Sequence, residues 1–157
     1  DDASLATNYV AWRAGSYMNL NGMNIVGDTL TGKLYELKDD VYTENGKLIH
    51  RLRTTPHLSD ENRQLTIHQL DIDTASGVGI ETGQGSDPQL MLRFSHDGGH
   101  TWGNQLMRSP GKIGEYKNRC LWHTLGTGRD WVFELTATDP VDWTIIGGYA
   151  RGSQGTY

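Results

Sequence analysis

From Ser16 onward the chain is a succession of short runs in which apolar and polar residues alternate, each closed by a turn of Gly, Asn or Asp. Tyr17-Met18-Asn19-Leu20 and Met23-Asn24-Ile25-Val26 flank Asn21-Gly22. Asn-Gly between apolar residues is a strong short-range hairpin signal, because the tight turn needs positive φ at both central positions. Turns at Gly27-Asp28 and Thr31-Gly32 precede Lys33-Leu34-Tyr35-Glu36-Leu37, which alternates as a half-buried strand does. Residues 41–43 and 48–53 flank Glu44-Asn45-Gly46-Lys47 and predict a further hairpin. Pro56 then breaks the pairing: it has no N–H to give a ladder, and it biases Thr55 toward extended geometry. Residues 64–73 alternate again, but the apolar phase slips between Ile67 and Leu70, which predicts a bulge near His68-Gln69.

Further along, residues 90–94, 105–107, 118–122, 131–138 and 141–146 read as strands. Within 131–138, Trp131, Phe133 and Leu135 share one face against Val132. The connections 74–79, 82–88, 109–116 and 125–130 are rich in Gly and small polar residues, the composition of loops between strands. The expected fold is therefore all-β, an antiparallel meander. Residues 1–15 form an N-terminal arm or short connector, with 5–13 either a brief helix or an arm; 16–149 form the domain, and 150–157 a flexible tail.

One stretch carries a tighter signature. Ser95-His96-Asp97-Gly98-Gly99-His100-Thr101-Trp102 fits Ser-x-Asp-x-Gly-x-Thr-Trp between two strand-like runs. Glycines supply the positive φ of the turn, and Asp97 is expected to accept hydrogen bonds from its own turn's N–H groups. The hydroxyls of Ser95 and Thr101 close the same network, and Trp102 is expected to drop its indole into the core. Ser95, Asp97, Gly99, Thr101 and Trp102 resemble the Asp-box, a hairpin motif of β-propellers such as sialidases. The resemblance implies a meander of β-propeller type, with the motif as a structural clasp away from any active site.

Composition narrows the function classes. A chain of 157 residues is one domain by length, and short for a closed propeller of several blades. Twenty glycines, seven tyrosines and five tryptophans against four prolines fit a turn-rich β protein. A formal net charge of -5 argues against nucleic acid or an anionic membrane as the main partner, and no sequence-specific nucleic-acid binding is expected. Cys120 has no partner cysteine, and its neighbours Leu121 and Trp122 predict a buried thiol. No apolar run reaches membrane-spanning length and no signal-peptide pattern opens the chain, so a soluble product without membrane contact is expected. The chain begins Asp-Asp rather than Met, as a fragment or processed product would.

A second resemblance covers residues 16–150. It rests on Gly27-Asp28 with Gly32-Lys33-Leu34-Tyr35-Glu36-Leu37, on Arg51-x-Arg53-Thr54-Thr55-Pro56-His57, on the Ser95 to Trp102 stretch, on Gly111-x-Ile113-Gly114-x-Tyr116-Lys117-x-Arg119-x-x-Trp122-x-x-Leu125-Gly126-x-x-Arg129, and on Phe133-x-Leu135 with Asp139-Pro140-Val141. This succession resembles the C-terminal part of the packaged-DNA stabilisation proteins, the tail hub or nozzle proteins of short-tailed bacteriophages. The resemblance implies a structural virion protein, made in the host cytoplasm and built into the tail. It also implies a homo-oligomeric ring, a hexamer, that helps retain packaged DNA and gives a platform for tailspikes or fibres, with adaptor, needle and tailspike or fibre as partners. The chain is shorter than a full hub subunit and would lack its N-terminal part.

Candidate chemistry is sparse. Of His50, His57, His68, His96, His100 and His123, only His96 and His100 lie close together, and a metal site would need a third ligand; exposed turn histidines are the expected reading. Asp71 and Asp73 point to one strand face and could hold a cation or act as paired acids, but a solvated strand end is favoured. Gly77-x-Gly79 and Gly83-x-Gly85 do not open a helix after a strand and make poor phosphate cradles. Arg51, Arg53, Arg108, Arg119 and Arg129 are either a cluster at a subunit interface, which the hub resemblance favours, or solvated. No catalytic residue, cofactor or metal is expected. The alternative is a carbohydrate-binding or sialidase-like propeller fragment. A sialidase requires an arginine cluster beside a tyrosine nucleophile, and one Asp-box falls short of the several expected across such an enzyme.

Overall fold

The computed structural model describes residues 13–75 and 77–155, and the chain divides into two compact units, residues 1–41 and 42–157. In the first unit β1 (Ala14–Leu20), β2 (Met23–Asp28) and β3 (Leu34–Glu36) form an antiparallel sheet in that order. Asn21 and Gly22 turn β1 into β2 at φ of 51° and 83°, the geometry the Asn-Gly pair predicts. Asp28 closes the next turn, accepting from Leu30 N at 2.8 Å and Thr31 Oγ1 at 2.6 Å. The expected arm or helix over residues 1–15 falls almost wholly outside the described residues, and β1 begins at Ala14.

The second unit opens with a tight hairpin, β4 (Thr43–Glu44) and β5 (Lys47–Leu48). The pairing expected to run on to Arg53 stops at Leu48. Arg51 begins a separate strand, β6 (Arg51–Thr54), which pairs with β12 (Asp130–Ala137). The reason lies in its side chain: Arg51 Nη1 donates to Val141 O at 2.6 Å and Nη2 to Asp139 O, tying the start of β6 to the segment after β12.

The remaining strands form two sheets. One runs β10-β9-β12-β6, with β9 (Leu90–Ser95) and β10 (Leu106–Arg108), while the two-residue β7 (Leu58–Ser59) pairs the start of β12. The other runs β11-β8-β13, with β8 (Leu65–Thr74), β11 (Cys120–Gly128) and β13 (Ile145–Gln154). Ile67, Leu70 and Ile72 of β8 and Cys120, Trp122 and Leu125 of β11 share one core with Leu90 and Leu92 of β9 and Trp131, Phe133 and Leu135 of β12. Two buried tryptophans cross between the sheets: Trp131 Nε1 donates to Leu65 O and Trp122 Nε1 to Leu106 O, each at 3.1 Å. Each indole thus fills the core while its N–H is satisfied by the opposite layer.

This architecture corrects several expectations. A propeller blade sets consecutive strands side by side, whereas here non-consecutive strands pair and two sheets face each other across a single core. Strands β11 and β12, expected as a joined pair, enter different sheets across Arg129. The last strand starts at Ile145 rather than Val141 and continues through the expected tail, with Gly152, Ser153 and Gln154 paired to Ile67, Thr66 and Leu65. Gly155 N then donates to Gln64 O at 2.8 Å. The bulge is where the phase slip puts it. Gln69 pairs Arg151 and Ile67 pairs Gly152, so His68 is an extra residue against β13.

Candidate functional site

The Ser95 to Trp102 loop joins β9 to β10 and is organised by two short side chains. Ser95 is buried, at 1% exposure, and its Oγ donates to Asp97 Oδ1 at 2.6 Å while accepting from Gly99 N at 2.8 Å and Asp97 N at 3.3 Å. Asp97 reaches across the loop to accept from Thr101 N at 2.8 Å and Thr101 Oγ1 at 2.7 Å. Donation by the Ser95 hydroxyl, then by the Thr101 N–H and hydroxyl, holds the Asp97 carboxyl well below the usual carboxylate range. Gly99 N is therefore bound by Ser95, not by the carboxylate.

The loop is also stitched to its surroundings. Gly98 N donates to Asp130 O at 2.9 Å, and Asp97 and Asp130 form an isolated parallel bridge. Gly98 has φ of 72°, which favours glycine, and a Cβ there would lie 2.6 Å from the Asp130 carboxylate and displace it. That carboxylate receives His57 Nδ1 at 2.8 Å, bringing in the segment after Pro56. His96 Nε2 meets Leu125 O at 3.1 Å, and its ring stands edge-on to Trp131 with centroids 4.4 Å apart. Three chain segments converge here: the β9–β10 loop, the β11–β12 crossover and the loop before β7.

Trp102 departs from expectation. It is half-buried and outside the core, lying against Arg93, whose guanidinium carbon is 4.8 Å from its ring centroid. Arg93 and Glu134 sit opposite one another on β9 and β12, on the face away from the core, and form a two-point ion pair: Nε to Oε1, and Nη2 to Oε2 at 3.0 Å. Glu134 is 5% exposed and Arg93 half-buried, so Trp102 lies over the arginine of an ion pair with a buried carboxylate rather than filling the core, whose large rings are Trp122, Trp131 and Phe133. Sequence reasoning missed this pair. The available signal was one charged residue, Arg93 or Glu134, alone in each of the strand-like runs 90–94 and 131–138.

The other candidates separate. All six histidines are exposed, and no group of three or more His, Cys, Asp or Glu that could hold a metal occurs among the described residues. Asp71 is buried, with Arg119 Nη1 3.5 Å from its Oδ2, so it is not a solvated strand end; Asp73 is half-buried. The arginines do not gather. Arg51 binds the carbonyls of Asp139 and Val141, Arg108 Nε donates to Leu121 O at 3.0 Å, Arg119 pairs with Asp71, and Arg53 and Arg129 are exposed on separate strands and turns. Cys120 is fully buried; burial, reinforced by the charge of Asp71, pushes its thiol up to about 11, which leaves it protonated and unreactive at neutral pH.

A family model described as bacteriophage P22 Gp10, beta-sandwich, matches residues 50–153. The chain belongs to this family. The matched span runs from the residue before β6 almost to the end of β13, so the family's sandwich coincides with the two facing sheets. Membership makes the protein a structural component of a phage tail, of the hub or nozzle type. No curated protein matches the chain.

Proposed function

We propose that the protein acts within a tail hub or nozzle, where it helps retain packaged DNA and offers a platform for tailspikes or fibres. The observation that carries this reading is the family match across the whole sandwich. The ring is a homo-oligomer, a hexamer, and its neighbours are the adaptor, the needle and the tailspike or fibre. The Ser95, Asp97, Gly99 and Thr101 network is an Asp-box-type clasp with a structural role, and the protein is not an enzyme.

Two features support an assembly role. Among the described residues β13 is paired on one side only, by β8, and its ten residues leave a long row of backbone N–H and C=O groups on the other edge. Such an edge is a ready template for a strand of a neighbour. Ile146 and Tyr149 of β13, at 66% and 63% exposure, supply apolar area beside it.

The test is a phage whose copy of this gene is disrupted. Particles that package DNA and then lose it, and that carry no tailspikes or fibres, are the expected result. Particles that keep their genome and their fibres would overturn the reading, and retention of glycans by the purified chain would favour the carbohydrate-binding alternative.

A further inference from the structure

Three polar side-chain atoms are buried with no hydrogen-bond partner among the described residues and belong to residues lining one cavity: Arg51 Nε, Thr74 Oγ1 and Trp143 Nε1. The cavity, of about 20 Å³, lies where β6 and β9 begin and β8 and β12 end. Leu90, Ala137 and Val141 contribute apolar wall to it. Thr74 is almost wholly enclosed, at 3% exposure.

The chemistry of these atoms restricts the occupant. Arg Nε–H and Trp Nε1–H can only donate, whereas a threonine hydroxyl donates or accepts. An occupant must therefore accept at least two hydrogen bonds and also satisfy a hydroxyl. Its size is bounded as well, since a water needs roughly 10–15 Å³ of such space. Charge argues against an anion: Asp139 and Asp142 lie close enough to Arg51 to offset its guanidinium, whose terminal nitrogens are already engaged by the carbonyls of Asp139 and Val141.

We infer that this cavity is the binding site of a structural water, which accepts from Arg51 Nε–H and Trp143 Nε1–H and is hydrogen-bonded to Thr74 Oγ1. The water joins three elements that make no common ladder: the start of β6, the end of β8 and the connection from β12 to β13. It belongs to the same anchorage by which Arg51 holds the carbonyls of Asp139 and Val141, and so helps delay the final strand until Ile145.

Water-to-indole cross-relaxation in the folded protein, with ¹⁵N-labelled tryptophan, tests this directly. The Trp143 resonance is assigned by its loss in Trp143→Phe, and spectra are recorded at a pH where indole exchange with bulk water is slow. A cross-peak of the sign given by long-lived bound water is expected at Trp143; its absence would overturn the proposal. In Thr74→Val, which keeps the shape and removes the hydroxyl, the melting temperature should fall by roughly 2–4 °C, because the water loses a partner. A midpoint unchanged or raised would mean that the hydroxyl was unpaired, and would overturn the proposal. So would a midpoint that rises with sodium bromide but not with sodium gluconate, since the cavity would then hold an anion.

Discussion

Ser95 does more in the clasp loop than its size suggests, since one buried hydroxyl donates to Asp97 and accepts from Gly99 N. Ser95→Ala is expected to destabilise by about 1–3 kcal/mol, measured by chemical denaturation, because it leaves Gly99 N and a carboxylate oxygen without that partner. Asp97 gives a pH signature. Its folded pKa is depressed below the ordinary value of 3.8, so its contribution is complete above that value and is lost as pH falls toward the folded pKa. The stability advantage of the parent over Asp97→Asn should thus be full near about pH 7 and shrink below about pH 4 in thermal melts. Trp131→Ala should cost about 3–5 kcal/mol as a core truncation, against about 1 kcal/mol for Trp102→Ala, which loses mainly its contact with Arg93. Equal losses would contradict the placement of the two rings. The Ser95, Asp97 and Thr101 contacts were legible because every partner lies within four residues. The place of Trp102 was not, because it depends on an ion pair whose members are 41 residues apart.

At the scale of elements, the local turns were readable and the pairings between distant strands were not. Asn21-Gly22 and Asn45-Gly46 both adopt the positive φ their types predict, and the phase slip in β8 marks a real bulge. Nothing in the alternation of residues 118–138 says that β11 and β12 part into opposite sheets. That separation is fixed by burial: Trp122 and Trp131 fill one core from two sides. Residues 150–154 looked like a tail because Gly, Ser and Gln carry little strand signal, yet backbone pairing with β8 needs no apolar side chain. Truncation after Tyr149 is therefore expected to destabilise the unit markedly, with a lower and broader thermal transition, since it strips β8 of its ladder from Ala150 to Gln154. An unchanged transition would contradict a strand there.

For the whole molecule, the family and the sandwich agree on a structural module; among the described residues β13 is paired on one side only, with Ile146 and Tyr149 exposed beside its open edge. The phage resemblance was legible from scattered motifs, whereas the layer arrangement was not, since the Asp-box pattern and the repeated hairpins fit a propeller as well as a sandwich. The central claim is that the protein works as part of a ring. The decisive measurement is the molar mass in solution, by light scattering, of the full-length product of its gene. The account predicts a discrete closed assembly of six copies; a full-length product that stays monomeric at every concentration tested would contradict it.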